Sequence, residues 1–175
     1  MIESMNRCLG LPLARGMAAV AVALLCQAAA AQQATYSVRT LTPDAALRAA
    51  RAALAACVKN GHQVAVAVTD RAGHPLVMLR ERHAGPHTPN TAISKAYTAL
   101  SFKLDTTAFA RATQAGEASS GIRHLPGVVA IGGGFPIESA GSIVGAIGVS
   151  GAPGGDADDV CAKAGISAIQ DDLDF

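Results

Sequence analysis

The chain has 175 residues, 14 of them basic and 13 acidic, and a formal net charge of +1. This length suits one domain with a hydrophobic core and is too short for two ordinary domains, while 50% apolar and 15% charged residues exclude extensive disorder. The near-neutral charge and an aromatic content of 3% disfavour a nucleic-acid partner, which requires phosphate-neutralising charge and often stacking aromatic side chains.

The first 31 residues have the pattern of a secretory signal peptide. Arg7 and Arg15 form a positively charged n-region, and residues 16–25 are small or apolar. Three alanines at 29–31 supply a cleavage site before Gln32. We therefore expect a periplasmic or secreted mature protein. The apolar run is shorter than the roughly 20 residues that span a bilayer, so no stable membrane insertion is expected after cleavage. An uncleaved N-terminal anchor is the alternative.

A polar lead over residues 32–40 precedes a single domain expected over residues 41–175. Without the signal peptide, the mature chain has twelve basic and twelve acidic side chains and no formal net charge. The domain opens with Thr42 as a helix N-cap and Pro43 at the first helical position. The alanine-rich amphipathic helix that follows ends at the Asn-Gly pair at 60–61.

A β-hairpin and two helices are predicted next along the chain. Residues 63–69 read QVAVAVT, so the valines share one face of a strand and the alanines share the other. Residues 74–79 form the returning strand after a turn at 70–73. Helical spacing then predicts a second helix from Pro89 to Phe102 and a shorter helix over 107–115.

The C-terminal third is predicted to contain a second hairpin and a closing helix. Residues 128–131 and 142–150 are the expected strands, connected through three glycines at 132–134 and a turn at 140–141. Residues 156–169 form the closing helix. Hairpins with helices before and between them indicate an α/β (α+β) fold, in which helices pack on the faces of an antiparallel sheet of about five strands.

Two cysteines, Cys57 and Cys161, remain in the mature chain, on the first and last predicted helices. A disulfide between them would persist in an oxidising compartment and would bring the two helices together. The alternative is that both are small buried apolar side chains.

Histidines and one lysine are the candidates for a binding site. His83 and His87 lie in a loop before the second helix, and either could bind a metal, although zinc normally needs three or four protein ligands. His124 is another conceivable ligand. Lys95 lies in the middle of a helix among apolar residues, where a functional lysine and a snorkelling lysine are both possible. For each histidine alone, a surface role is the alternative.

The glycines at 132–134 lack the spacing of a dinucleotide-binding loop, and Pro136 follows where a helix would have to begin. They indicate either a strand bulge or a wall where a flat ligand approaches the main chain. No G-x-S-x-G motif occurs, so serine-based nucleophilic catalysis is poorly supported.

Several segments in order resemble the GlcG/HbpS family, which is related to the PduO C-terminal domain. They are VAVAVTDRAGHPL at 64–76, AISKAYTALSF at 92–102, LPGVVAIGGGFPI at 125–137, GSIVGAIGVSG at 141–151 and DADDVCAKAG at 156–165. The resemblance implies a profilin-like sandwich, a homo-oligomer and haem as the cofactor.

The resemblance also implies a wall for the tetrapyrrole. Its candidate residues are His83, His87, Thr88, Thr91, Lys95, His124, Gly133, Gly134 and Pro136. We expect His83 or His87 as the iron ligand, with His124 third, and Lys95 as a partner for a haem propionate. The family often has an aspartate where this chain has His83, so that histidine either removes a polar contact or supplies an imidazole.

The leading hypothesis is an exported haem-binding protein in haem handling or redox sensing. The alternatives are a small-molecule enzyme that uses Lys95 or a histidine, and a non-catalytic oligomeric accessory protein.

Overall fold

The computed structural model describes residues 34–174. Every helix and strand of the described part lies in the compact unit that begins at Arg39. The predicted signal peptide lies outside the described residues, so its export role stays a prediction. Within residues 34–174, no helix is long and apolar enough to cross a membrane.

The helices and strands follow the order expected from the sequence. They are α1 (Pro43–Lys59), β1 (Ala65–Asp70), β2 (Pro75–Arg80), α2 (Thr88–Phe102), α3 (Thr106–Ala112), a 3-10 helix (Ser120–His124), β3 (Gly134–Ser139), β4 (Ser142–Ser150), α4 (Gly155–Ser167) and α5 (Gln170–Leu173).

The strands form an antiparallel sheet in the order β2-β1-β4-β3, which confirms the α+β fold class. In the described part of the chain the sheet has four strands, rather than about five. Val64, Val66 and Val68 face a core shared with α1 and α4, whereas Ala65 and Ala67 face α2. The predicted separation of valines and alanines onto opposite faces is therefore confirmed.

Helix α1 begins as the sequence predicts. The Thr42 hydroxyl oxygen accepts a hydrogen bond from the backbone N–H of Ala45 at 3.2 Å, and Pro43 occupies the first helical position. Of the two alternatives for the cysteines, the structure has the disulfide: Cys57 of α1 and Cys161 of α4 are bonded, with their Cα atoms 5.4 Å apart. The disulfide fixes α1 and α4 together on one face of the sheet.

The predicted strand over residues 128–131 is wrong. The backbone N–H of Val129 donates to the side-chain oxygen of Thr98 on α2 at 2.9 Å, instead of to a neighbouring strand. The N–H of Val128 is used in a turn, where it donates to the carbonyl of Leu125. Strand β3 therefore starts only at Gly134, after the glycines.

Helix α2 lies directly against β4 because Gly148 has no side chain. A Cβ atom at this position would lie 2.0 Å from the carbonyl oxygen of Ala92 and 2.7 Å from the nitrogen of Ala96. This close approach brings Lys95, on the same face of α2, to the end of β4. The fold thereby fixes where the central polar group of the candidate site lies.

Candidate functional site

A cleft of about 340 Å³ opens where the start of α2, the end of β4 and the start of α4 meet. We call it the His87 cleft. It is lined by Gly85, His87, Thr88, Thr91, Lys95, Ile131, Ser150, Gly151, Ala152, Gly154, Gly155 and Asp158. Four of the residues predicted from the sequence therefore meet in one place. The volume lies in the range of small-molecule sites, roughly 300–1,000 Å³.

His87 lies at the rim of this cleft, at the residue before the first turn of α2. It is exposed, and its imidazole makes no hydrogen bond to the helix terminus that it precedes. The ring lies over Gly85, where a Cβ atom would be only 2.8 Å from its Cε1 atom. The absence of a side chain at Gly85 thus makes room for the imidazole, which has no hydrogen-bond partner among the described residues and can bind a ligand.

Two threonines hold the backbone that carries His87. The Thr88 hydroxyl donates to the carbonyl of Gly85 at 2.8 Å, and the Thr91 hydroxyl donates to the carbonyl of His87 at 3.0 Å. Thr88 is buried and Thr91 is half-buried. Their contribution is to position the histidine loop, and their hydroxyl oxygens keep lone pairs that can accept from a ligand.

Lys95 forms a buried ion pair at the bottom of the cleft. Its Nζ atom lies 2.7 Å from Oδ2 of Asp158, and both side chains are almost fully buried, at 2% and 4% exposure. The same Nζ donates to the carbonyl of Val149 at 2.9 Å. Two of its three donors are thus used inside the protein, and its charge is balanced.

The buried carboxyl of Asp158 has an unusual environment. Burial raises its pKa above the ordinary value of 3.8, and the hydrogen bond and charge of Lys95 together with the N–H of Ala152 oppose that rise only in part. The Ala152 N–H donates to Oδ1 of Asp158 at 3.0 Å. Asp158 therefore ties α2, the loop after β4 and α4 to one another.

Gly133 and Gly134 lie beside this ion pair but do not line the cleft. Both are buried. A Cβ atom at Gly133 would lie 3.0 Å from Nζ of Lys95, and one at Gly134 would lie 2.4 Å from the Lys95 carbonyl. The N–H of Gly133 donates to Asp159, and that of Gly134 donates to the Thr106 hydroxyl at 2.8 Å. Their role here is close packing, because protein covers their main chain.

The other predicted site residues lie elsewhere. His83 is exposed, its backbone N–H donates to the carboxylate of Glu81 at 2.8 Å, and it does not line the His87 cleft. His124 is exposed at the end of the 3-10 helix. Pro136 is half-buried within β3. Across residues 34–174, no group of three or more His, Cys, Asp or Glu side chains could hold a metal ion by itself.

Sequence reasoning missed the contributions of α4 and of the loop that precedes it. One wall of the cleft is formed by Asp158 together with Gly151, Ala152, Gly154 and Gly155, and Ile131 adds an exposed apolar side chain. A signal for Asp158 was present in the sequence: it precedes the buried residues Ala162 and Gly165 by four and seven positions, on the inward face of a helix.

A family model and several similar proteins relate this chain to the same family. The family model described as "Haem degrading protein HbpS-like" matches residues 41–167. An uncharacterized 15.0 kDa protein from the dhaT-dhaS intergenic region of Citrobacter freundii is 32% identical over 119 residues, which cover 67% of this chain and 84% of that protein.

Two solved structures are similar to this chain in fold as well as in sequence. A double mutant of HbpS from Streptomyces reticuli has a TM-score of 0.75 and 39% identity, covering 81% of this chain and 94% of that one. A complex of PduOC with haem has a TM-score of 0.70 and 30% identity, covering 74% of this chain and 95% of that one.

Proposed function

Because the chain belongs to the HbpS-like family, we propose that it binds haem and that the His87 cleft is the binding site. The observation that carries the proposal is the His87 imidazole, which faces a cleft and has no hydrogen-bond partner within residues 34–174. A single imidazole is sufficient to bind haem iron. The similarity to PduOC, which was crystallised with haem, supports the choice of ligand.

The residues of the cleft fit a flat amphipathic ligand. Ile131 and Ala152 offer apolar contacts, and the glycines at 151, 154 and 155 have no side chains that would project into the cleft. Gly154 in particular has no heavy atom within 4 Å of the position that a Cβ would take. Haem would supply a redox-active iron, and on that basis we extend the proposal to a role in haem handling or redox sensing.

For Lys95 we propose a role other than the expected pairing with a haem propionate. The Nζ of Lys95 lies 2.7 Å from Oδ2 of Asp158, which already balances the lysine charge. To pair with a haem propionate, Lys95 would have to bind a second carboxylate beside Asp158. We therefore propose that Lys95 supports the floor of the cleft and does not bind the ligand's carboxylates. The same ion pair disfavours an enzyme in which Lys95 is the nucleophile, since a paired ammonium has no lone pair with which to attack a carbonyl.

We also propose that the protein is exported, as its N-terminal sequence predicts. The Cys57–Cys161 disulfide supports this, because disulfides persist mainly in oxidising compartments. Mass spectrometry of protein from the periplasm and the medium tests the proposal. A mature chain that begins at Gln32 and contains no free thiol is expected, whereas a full-length reduced chain in the cytoplasm would contradict it.

A homo-oligomer is proposed as well. Several large apolar side chains of the described domain are more than a third exposed, among them Met78, Tyr97 and Leu125. Contact between copies would remove such surface from water. Light scattering on the purified mature chain is expected to give a multiple of the monomer mass, and a monomer at all concentrations would refute this part of the proposal.

The haem proposal is tested by titrating the mature protein with haemin and following the Soret band. We expect a saturable change at near-stoichiometric haemin, and an affinity about tenfold or more lower in His87→Ala because the iron ligand is removed. His83→Ala and His124→Ala are matched controls, since both histidines are exposed and neither lines the cleft. A weak, non-saturating change that no histidine substitution affects would refute haem binding.

A further inference from the structure

A second groove, of about 400 Å³, lies next to the His87 cleft, and Ile131 and Gly155 line both. We call it the arginine groove, because Arg111 at the end of α3 and Arg123 in the 3-10 helix line it. The two depressions are therefore neighbours. The His87 cleft carries the imidazole, and the arginine groove carries two guanidinium groups.

The two arginines are available to a ligand in different ways. Within residues 34–174, Arg111 is exposed and its guanidinium makes no hydrogen bond or ion pair. Arg123 is held in place: its Nε donates to the Thr113 hydroxyl at 2.9 Å, and one Nη donates to the carbonyl of Ala110. A guanidinium has five N–H donors, so three remain on Arg123. One flexible cation and one fixed cation therefore face the same groove.

We propose that the arginine groove binds the carboxylates of the ligand whose flat body lies in the His87 cleft. The proposal rests on the proposed haem binding, and for haem it assigns the propionates to Arg111 and Arg123 in place of Lys95. Guanidinium groups bind carboxylates through two parallel hydrogen bonds, which gives both attraction and orientation. Ile131, which is 53% exposed and common to both depressions, lies where the apolar body would cross from one to the other.

One acidic residue opposes the two arginines. Asp156, in the first turn of α4, also lines the arginine groove and is exposed. Its carboxylate lowers the positive potential that an anionic ligand would meet. Removing this charge is therefore expected to strengthen the binding of a carboxylate ligand, which a purely apolar site would not show.

The test compares haemin with haemin dimethyl ester, which has the same iron and ring but no free carboxylates. Arg111→Gln is expected to bind haemin about five- to tenfold more weakly and to leave the affinity for the ester unchanged. Asp156→Asn is expected to bind haemin a few-fold more tightly, again without effect on the ester. Arg51→Gln is the matched control, because Arg51 is exposed on α1 and lines neither depression.

The outcomes separate the two proposals. Wild-type protein with no saturable haemin binding would overturn both of them. Binding of haemin that depends on His87 but is the same in wild type, Arg111→Gln and Arg51→Gln would overturn the carboxylate assignment alone. Circular dichroism controls for folding, and Arg111→Lys, which keeps the charge but loses the paired hydrogen bonds, is expected to lie between wild type and Arg111→Gln.

Discussion

Replacement of Lys95 by methionine should reveal how much the buried ion pair contributes to the cleft. The substitution keeps the length of the side chain and leaves Asp158 buried without its cation. Breaking a buried pair by removal of one partner costs about 3–5 kcal/mol, since an unpaired charge remains in the interior. For a domain of this size that loss corresponds to a melting temperature about 10–20 °C lower.

The destabilisation by Lys95→Met is expected to depend on pH. Burial already raises the pKa of Asp158 above 3.8 in the folded protein, and Lys95 opposes that rise through its hydrogen bond and its charge. Without Lys95 the folded-state pKa rises further, so the folded protein binds the proton more tightly than the unfolded chain. The free energy of unfolding then falls as pH rises from 3.8 through the folded-state pKa.

Urea unfolding of wild type and Lys95→Met at pH 7 and near pH 4 measures this effect. The loss should be largest at pH 7 and smaller at the acidic pH, because the raised pKa of Asp158 favours its uncharged form as pH falls. The double variant Lys95→Met with Asp158→Asn should recover part of the loss, because the asparagine oxygen can still accept from Ala152. Lys59→Met, at an exposed position, is the control. An equal loss of unfolding free energy at both pH values, or no loss, would show that Asp158 is not a buried charge that Lys95 balances.

Two further predictions concern the framework around the cleft. Cys57→Ser with Cys161→Ser removes a bond between residues 104 positions apart and should lower the free energy of unfolding by about 4–5 kcal/mol, measured in urea; midpoints equal to those of wild type would contradict this. Gly148→Ala places a Cβ atom 2.0 Å from the Ala92 carbonyl and should cost about 3 kcal/mol or more, whereas Gly121→Ala, with no atom within 4 Å, should melt close to wild type.

Local patterns predicted most of the fold. The Thr42 cap, the alternation of valine and alanine in β1 and the span of β4 each depend on residues close in sequence, and the structure has them where the pattern places them. The strand predicted at 128–131 is absent because the N–H of Val129, which a strand would need, donates instead to the hydroxyl oxygen of Thr98, 31 positions away.

The candidate site was only partly predictable for the same reason. His87, Thr88, Thr91 and Lys95 meet in one cleft because one helix and its first turn carry them all. The partner of Lys95 is Asp158, which is 63 positions away in the sequence, and no pattern of neighbouring residues predicts this pairing. The sequence periodicity of α4 places an acid on its buried face, but the matching cation becomes visible only when α2 and α4 are packed together.

The location of the iron in a haemin complex would show directly whether the His87 cleft binds haem. In crystals of the mature chain grown with haemin, the anomalous scattering of iron would give the position of the metal. This position does not depend on how the electron density of the porphyrin ring is interpreted. We expect a single iron site next to the His87 imidazole, with the tetrapyrrole against Ile131. Iron bound at His83 or His124, or haemin spread over several surface positions with the His87 cleft empty, would contradict it.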